Sequence, residues 1–214
     1  MHAFGDRQYS WLRWNLAVTA FVLPAAVLRA ALSPEQPDVT APPSLAGQLL
    51  IAAPEMSDPF NHAVILLAQH SRDGALGIII NHPLATRPIA SLLEALGAEG
   101  SGVTGNILIF LGGPVSPTTA FVIHSADYRR DDTLDIDGRV ALSDAVGVLG
   151  DIAGGKGPAK SLVTLGYAGW APSQLDDEIA RGAWVTVPEN PQLVFDDDRT
   201  RVWTDAMALH KTAR

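Results

Sequence analysis

The chain contains no cysteine. That excludes thiol nucleophiles, disulfides, thiolate zinc sites and iron–sulfur clusters together. It does not assign a compartment, because reducing and oxidising environments both tolerate cysteine-free chains. Positive charge is also scarce: 15 Lys and Arg stand against 23 Asp and Glu, a formal charge of −8. The three arginines and three acids within residues 1–44 cancel, so the acidic excess lies wholly in the body of the chain. Nucleic-acid affinity rests on Lys and Arg neutralising phosphates, and no direct nucleic-acid partner is expected. Long apolar runs are missing too. The longest, Leu16 to Leu28, has 13 residues, short of the roughly 20 that a spanning helix needs, so no membrane partner is expected for the body. No Gly-x-Ser-x-Gly elbow and no helical or Cys/His metal-ligand spacing occurs, so neither a hydrolase nucleophile, a metal nor a cofactor is expected.

Residues 1–44 form an N-terminal extension. Arg7 and Arg13 precede the apolar run, Arg29 closes it, and a Pro-rich stretch follows. This has the charged and apolar parts of an export signal without a clean cleavage site, so residues 1–32 read either as an export or anchor segment or as an extension upstream of the true start. The body, 45–214, is expected to be one domain.

The densest run of strand-forming residues is Gly47 to Pro83, where three short Val/Ile/Leu-rich segments are separated by Pro54, Asp58-Pro59 and Ser71 to Gly74. This predicts a first strand followed by a hairpin of 63–70 and 75–81. In that register His70 faces Ala75, and Asn81 and His82 lie opposite Val64 and Ala63. His70 and His82 are then roughly 20 Å apart at about 3.3 Å per residue. The spacing predicts helices over 87–97, over 144–153 with Ser143 as cap, over 172–182 and over 198–211. Strands are expected at 106–111, 120–124, 160–166 and 183–187, with an acidic loop over 127–137 and a turn at Gly169-Trp170. Three strands before the first helix argue for α+β with a mixed sheet rather than regular βαβ alternation.

The sequence offers several candidate sites, each with a bland reading beside it. Gly112-Gly113-Pro114 follows a strand and could form an anion nest, although glycine also serves where backbones approach closely. Gly166, Tyr167, Gly169 and Trp170 could wall a small ligand, although a core Trp170 explains them as well. Gly150 to Gly157 nearly spells a phosphate loop, but Gly157 has no hydroxyl for Mg²⁺ and a helix precedes it. His62 and His82 are the best two-ligand pair. His70 and His124 are the candidates for a general base, and His70, Asn81 and His124 serve equally well as polar groups satisfying loop backbone.

Four ordered stretches together carry a resemblance: GQLLIAAPEMSDPF from Gly47, HSRDGALG from His70 with Asn81, GGPV at 112–115 with FVIH at 121–124, and LGYAGWAPSQLDDEIARGAW at 165–184. These resemble the AlgH/YqgE family of bacterial proteins over 45–208. The resemblance implies a mixed, mostly antiparallel and partly curled sheet flanked by helices in a small cytoplasmic protein, and a regulatory association without a DNA-binding motif. The chain departs from the family pattern in its long N-terminal extension, its earlier C-terminal end and at 118–120, where Thr-Thr-Ala stands in place of an arginine and a glycine. Together these readings predict a non-catalytic domain binding an unknown small molecule or protein partner, its site formed by Gly112, Gly113, Pro114, His124, Gly166, Tyr167, Gly169 and Trp170. The alternatives are an enzyme with a histidine base and a regulator acting through a protein partner.

Overall fold

The computed structural model describes residues 43–212. The expected N-terminal extension lies outside the described residues, apart from its last two positions. The first strand β1 (Gln48–Ala52) is followed by β2 (Val64–Ser71), β3 (Gly74–Ile79) and β4 (Pro83–Pro88), then helix α1 (Ile89–Ala95). Next come β5 (Asn106–Leu111), β6 (Val115–Ser125), β7 (Leu134–Asp135) and β8 (Val140–Asp144), then α2 (Ala145–Ala153) and β9 (Ser161–Trp170). Helix α3 (Gln174–Ala180), strand β10 (Trp184–Pro188), the single-turn α4 (Pro191–Val194) and α5 (Val202–Thr212) complete the fold.

The main path of the sheet runs β10-β1-β2-β3-β9-β6-β8-β7, with β5 joining β9 and β4 joining β5. Among the described residues every pairing is antiparallel except β5 with β9. Strand β9 is the hub: its first half lies between β6 and β5 and its second half passes to β3. This is the expected α+β architecture with a mixed, curled sheet. Strand β1 reads as a continuous apolar run because both of its faces are covered. Leu49 and Ile51 pack with Val202 and Ala206 of α5, while Leu50 and Ala52 pack with Trp170, Trp184 and Leu175 of α3. A third cluster joins α1 and α2 to β5, β6 and β9 through Leu92, Leu93, Val148, Leu149, Ile109, Val122 and Val163.

The structure corrects several sequence-based expectations. The hairpin begins as expected, with His70 opposite Ala75 and Ser71 opposite Gly74, but a bulge between Leu67 and Gln69 shifts the far half by one residue. Ile65 therefore faces Ile79, and Ile80 N–H donates to Val64 O. Ser143 is not a helix cap; it is buried within β8, and Asp144 caps α2 by accepting from Val146 N–H. A carboxylate in the adjacent position caps as well as a hydroxyl, and the β6–β8 ladder holds Ser143 extended. The supposed turn at Gly169-Trp170 is strand: β9 continues to Trp170, held there by Gly169 opposite Leu76 and Trp170 opposite Ala75. The acidic loop is shorter than expected, since Leu134–Asp135 pairs with β8. Strands β4 and β8 and helix α4 have no counterpart among the sequence-based expectations. Among the described residues no helix is long and apolar enough to cross a membrane.

Candidate functional site

The bulge in the β2–β3 hairpin decides what gathers at its open end. Continuing the shifted register places Asn81 beside Ala63 and His82 beside His62. The Asn81 side chain then extends the ladder: Oδ1 accepts from Val64 N–H at 2.9 Å and Nδ2 donates to His62 O at 2.9 Å. The amide thus pins the loop that presents His62, whose φ of 50° is a conformation that non-glycine residues rarely adopt. His62 meets the Trp203 ring edge-on at 4.3 Å, and Trp203 Nε1 donates to Ala52 O at 2.9 Å. The segment before α5 brings Arg199 and Thr200 to the same place.

These residues enclose a cleft of about 420 Å³ lined by His62, Asn81, His82, Arg199, Thr200, Trp203 and Thr204. Among the described residues no carboxylate lines it. Burial pushes the His82 imidazole below its usual pKa, opposed by a backbone hydrogen bond with Asn61 and by Asp58. His82 is therefore mainly neutral at neutral pH. Burial likewise lowers Arg199, opposed by Asp196 and Asp197. The two histidines do come together, but among the described residues no cluster of three or more metal-ligating side chains forms.

The residues singled out from sequence are arranged differently. Gly112 and Gly113 are buried, and the Gly112 N–H that would belong to an anion nest donates to Leu165 O at 2.8 Å. A Cβ on Gly112 would collide with Gly166 O, on Gly113 with the Tyr167 carbonyl, and on Gly166 with Gly113 O. These glycines let the β5–β6 connection cross β9 backbone to backbone. Pro114 and Gly169 are exposed, whereas Tyr167 and Trp170 belong to the core. None of the eight residues lines the cleft. The phosphate-loop look-alike spans the last turn of α2 and the residues after it, the end at which the helix dipole presents carbonyls.

Neither proposed base has a free nitrogen. The fully buried His124 has Nδ1 3.0 Å from Ser125 O, which makes Nδ1 the donor and leaves Nε2, at 3.0 Å, to accept from Ser143 Oγ. Ser143 Oγ in turn bonds Thr133 Oγ1 at 2.8 Å. The pair resembles a nucleophile and its base, but both members are sealed from solvent. His70 Nδ1 accepts from Leu45 N–H at 3.1 Å, and its Nε2 lies 3.5 Å from Asp176 Oδ1. A carboxylate does sit beside His70, yet the nitrogen that would take a proton from a substrate is occupied.

The LGYAGW…W stretch has a different role from the expected ligand wall. Glu178 Oε2 accepts from both Trp170 Nε1 (2.9 Å) and Trp184 Nε1 (2.8 Å), while Oε1 accepts from Gln174 Nε2 (2.9 Å). One carboxylate therefore satisfies two buried indoles and locks α3 onto the sheet. Glu178→Ala is expected to cost about 3 kcal/mol, measured by urea denaturation, because two buried N–H donors lose a charged acceptor. Glu178→Gln is expected to recover only part of this, since its amide would face the Gln174 amide.

A family model described as AlgH-like matches residues 49–213.

The chain belongs to the AlgH-like family.

Relatives include a UPF0301 protein of Jannaschia sp. (strain CCS1), 45% identical over 174 residues, or 80% of this chain and 90% of the relative. Another, UPF0301 protein MCA0413 1 of Methylococcus capsulatus, is 41% identical over 81% of this chain and 94% of its own length. Among solved structures, the AlgH protein of Pseudomonas aeruginosa superposes with a TM-score of 0.67 at 37% identity, covering 82% of this chain and 92% of that one. Protein DIP2367 of Corynebacterium diphtheriae, at 24% identity and a TM-score of 0.59 over 83% of this chain and 90% of that one, shares the fold. Within this AlgH-like chain, sequence reasoning paired His62 with His82 but missed Arg199, Thr200 and Thr204. Arg199 follows three aspartates, and nothing in that local pattern shows that it shares a cleft with His62, Asn81 and His82 from far away in the chain.

Proposed function

We propose that this AlgH-like chain is a non-catalytic small-molecule-binding domain whose site is the His62–His82–Arg199 cleft, with an indirect regulatory output through a protein partner. One observation carries the reading: three sequence-distant segments converge polar side chains on an open cleft, and one of them is held there by a dedicated Asn81 clamp and a strained His62. The imidazoles with base-like neighbours are both engaged and lie outside the cleft. Helix α5 contributes to the cleft and also packs against β1, so occupancy of the site bears on the core through one rigid element.

A metabolite panel tested by thermal shift on the full chain checks this. A ligand at a hundred times its Kd adds about 2.7 kcal/mol to stability, roughly 5 to 10 °C for a domain of this size. The Trp203 indole N–H resonance should move with the same compound. If no compound shifts either the melting temperature or that resonance, the reading fails.

A further inference from the structure

Arg199 is the unusual charge in this acidic molecule. Arg129, Arg130, Arg139 and Arg201 each pair with a carboxylate. Arg199 pairs with none among the described residues, although it is half-buried. Its Nη1 donates to Val194 O at 2.8 Å, and its Cζ lies 5.2 Å from the centre of the Phe110 ring. Those contacts orient the guanidinium and leave Nε and Nη2 without an acceptor among the described residues. Asp196 and Asp197 act on it only at a distance, as Asp58 does on His82. A guanidinium taken partly out of water without a counter-ion is costly to fold, and its planar fork matches the paired oxygens of a carboxylate or phosphate. His62, Asn81 and His82 line the same cleft, the Trp203 Nε1 being taken by Ala52 O, and among the described residues no acidic side chain lines it.

We propose that the ligand of this cleft is a small oxyanion, with a carboxylate or phosphate group seated on the Arg199 fork and facing His62 and His82. The proposal rests on the cleft being the binding site and adds the chemical class of what binds. An anion there favours protonated His82, so binding should strengthen as the pH falls and take up a proton.

The test titrates the full chain, at fixed ionic strength, with inorganic phosphate, with succinate, and with a neutral polyol and a diamine as controls. The readouts are calorimetry and the Trp203 indole and histidine ring resonances. At least one anion should saturate these signals and bind at least fivefold more tightly at pH 6 than at pH 8. Phosphate alone or succinate alone supports the class and selects the source. Arg199→Gln is expected to weaken binding at least tenfold, with Arg199→Lys intermediate because it keeps the charge without the fork. If Arg199→Gln does not fold, His82→Gln supplies the second variant, expected to flatten the pH dependence while leaving some binding. Saturation by the polyol or the diamine but by neither anion overturns the proposal while the binding reading stands. Silence from all four compounds overturns the proposal, and silence across the wider metabolite panel overturns the binding reading as well.

Discussion

Gly113→Ala is expected to leave the chain unable to fold, a loss above about 5 kcal/mol. A Cβ at this position would fall on the carbonyl carbon and oxygen of Tyr167 and the amide of Ala168, far inside the 3.0 Å that real Cβ atoms keep. All three are backbone atoms of β9, the strand to which β3, β5 and β6 all bond, so no side-chain rotation relieves the clash. The φ of 155° at Gly113 adds a conformational penalty for any L side chain. The measurement is soluble yield and circular-dichroism melting beside Gly150→Ala. Gly150 sits in α2, where an added Cβ would meet nothing within 4 Å, and its replacement should be neutral or stabilising by up to about 1 kcal/mol. An anion nest predicts the opposite pattern, a folded Gly113→Ala protein that has lost only a ligand. A variant melting near the wild-type temperature would sink the packing account.

Stability should fall by roughly 3 to 5 kcal/mol between pH 5 and pH 8.5 through one side chain, Glu189. Its carboxyl is wholly buried at the end of β10, and neither oxygen accepts a hydrogen bond among the described residues. Burial, reinforced by the neighbouring Asp137, pushes its pKa from 4.5 up to about 8. Asp137 is the member of the pair that ionises first. Although burial opposes it, Asp137 is held below its usual range by Glu189, by the Arg139 and Val140 N–H groups and by the Arg139 guanidinium at 2.7 Å. Arg139 Nη2 also lies 2.8 Å from Glu189 Oε2, but that attraction is the smallest influence on Glu189.

The sign follows from comparing the two states. Below about pH 4.5 Glu189 is protonated whether folded or unfolded. Between 4.5 and 8 the unfolded chain releases a proton that the folded chain keeps, so stability declines as the pH rises. His82, lowered by burial, works the other way at the acid end of this window. Comparison with Glu189→Gln isolates the Glu189 contribution. The glutamine mimics the protonated carboxyl, so it should match wild type to within about 1 kcal/mol at pH 5 and exceed it at pH 8.5 by most of the difference. Urea denaturation at both pH values measures this, and parallel pH profiles for the two proteins would refute it.

What could be read before folding depended on how local its cause was. The first hairpin turn, the C-terminal glycines Gly97 and Gly182, both in left-handed conformation, and the amphipathic faces of α1 and α5 are set by neighbours in sequence. The β-bulge at Leu67 to Gln69 was not legible, because an uninterrupted apolar run looks the same in either register. Its consequence was large, since it set His82 against His62 and turned Asn81 into a clamp. Strand β8 was hidden behind acidic residues that the Arg129, Arg130 and Arg139 pairs neutralise.

The sequence by itself determined the family, the α+β class, the exclusion of thiol chemistry and an acidic body, because composition and ordered motifs need no coordinates. Only the tertiary structure decided which groups meet. It turned the glycine motifs into backbone crossings and the Trp-rich motif into a carboxylate-bound core. It also brought Arg199, from just before the last helix, to the end of the first hairpin. Long-range packing of α5 on β1 and β2 places that cation, and the side chains it faces lie more than a hundred residues earlier in the chain.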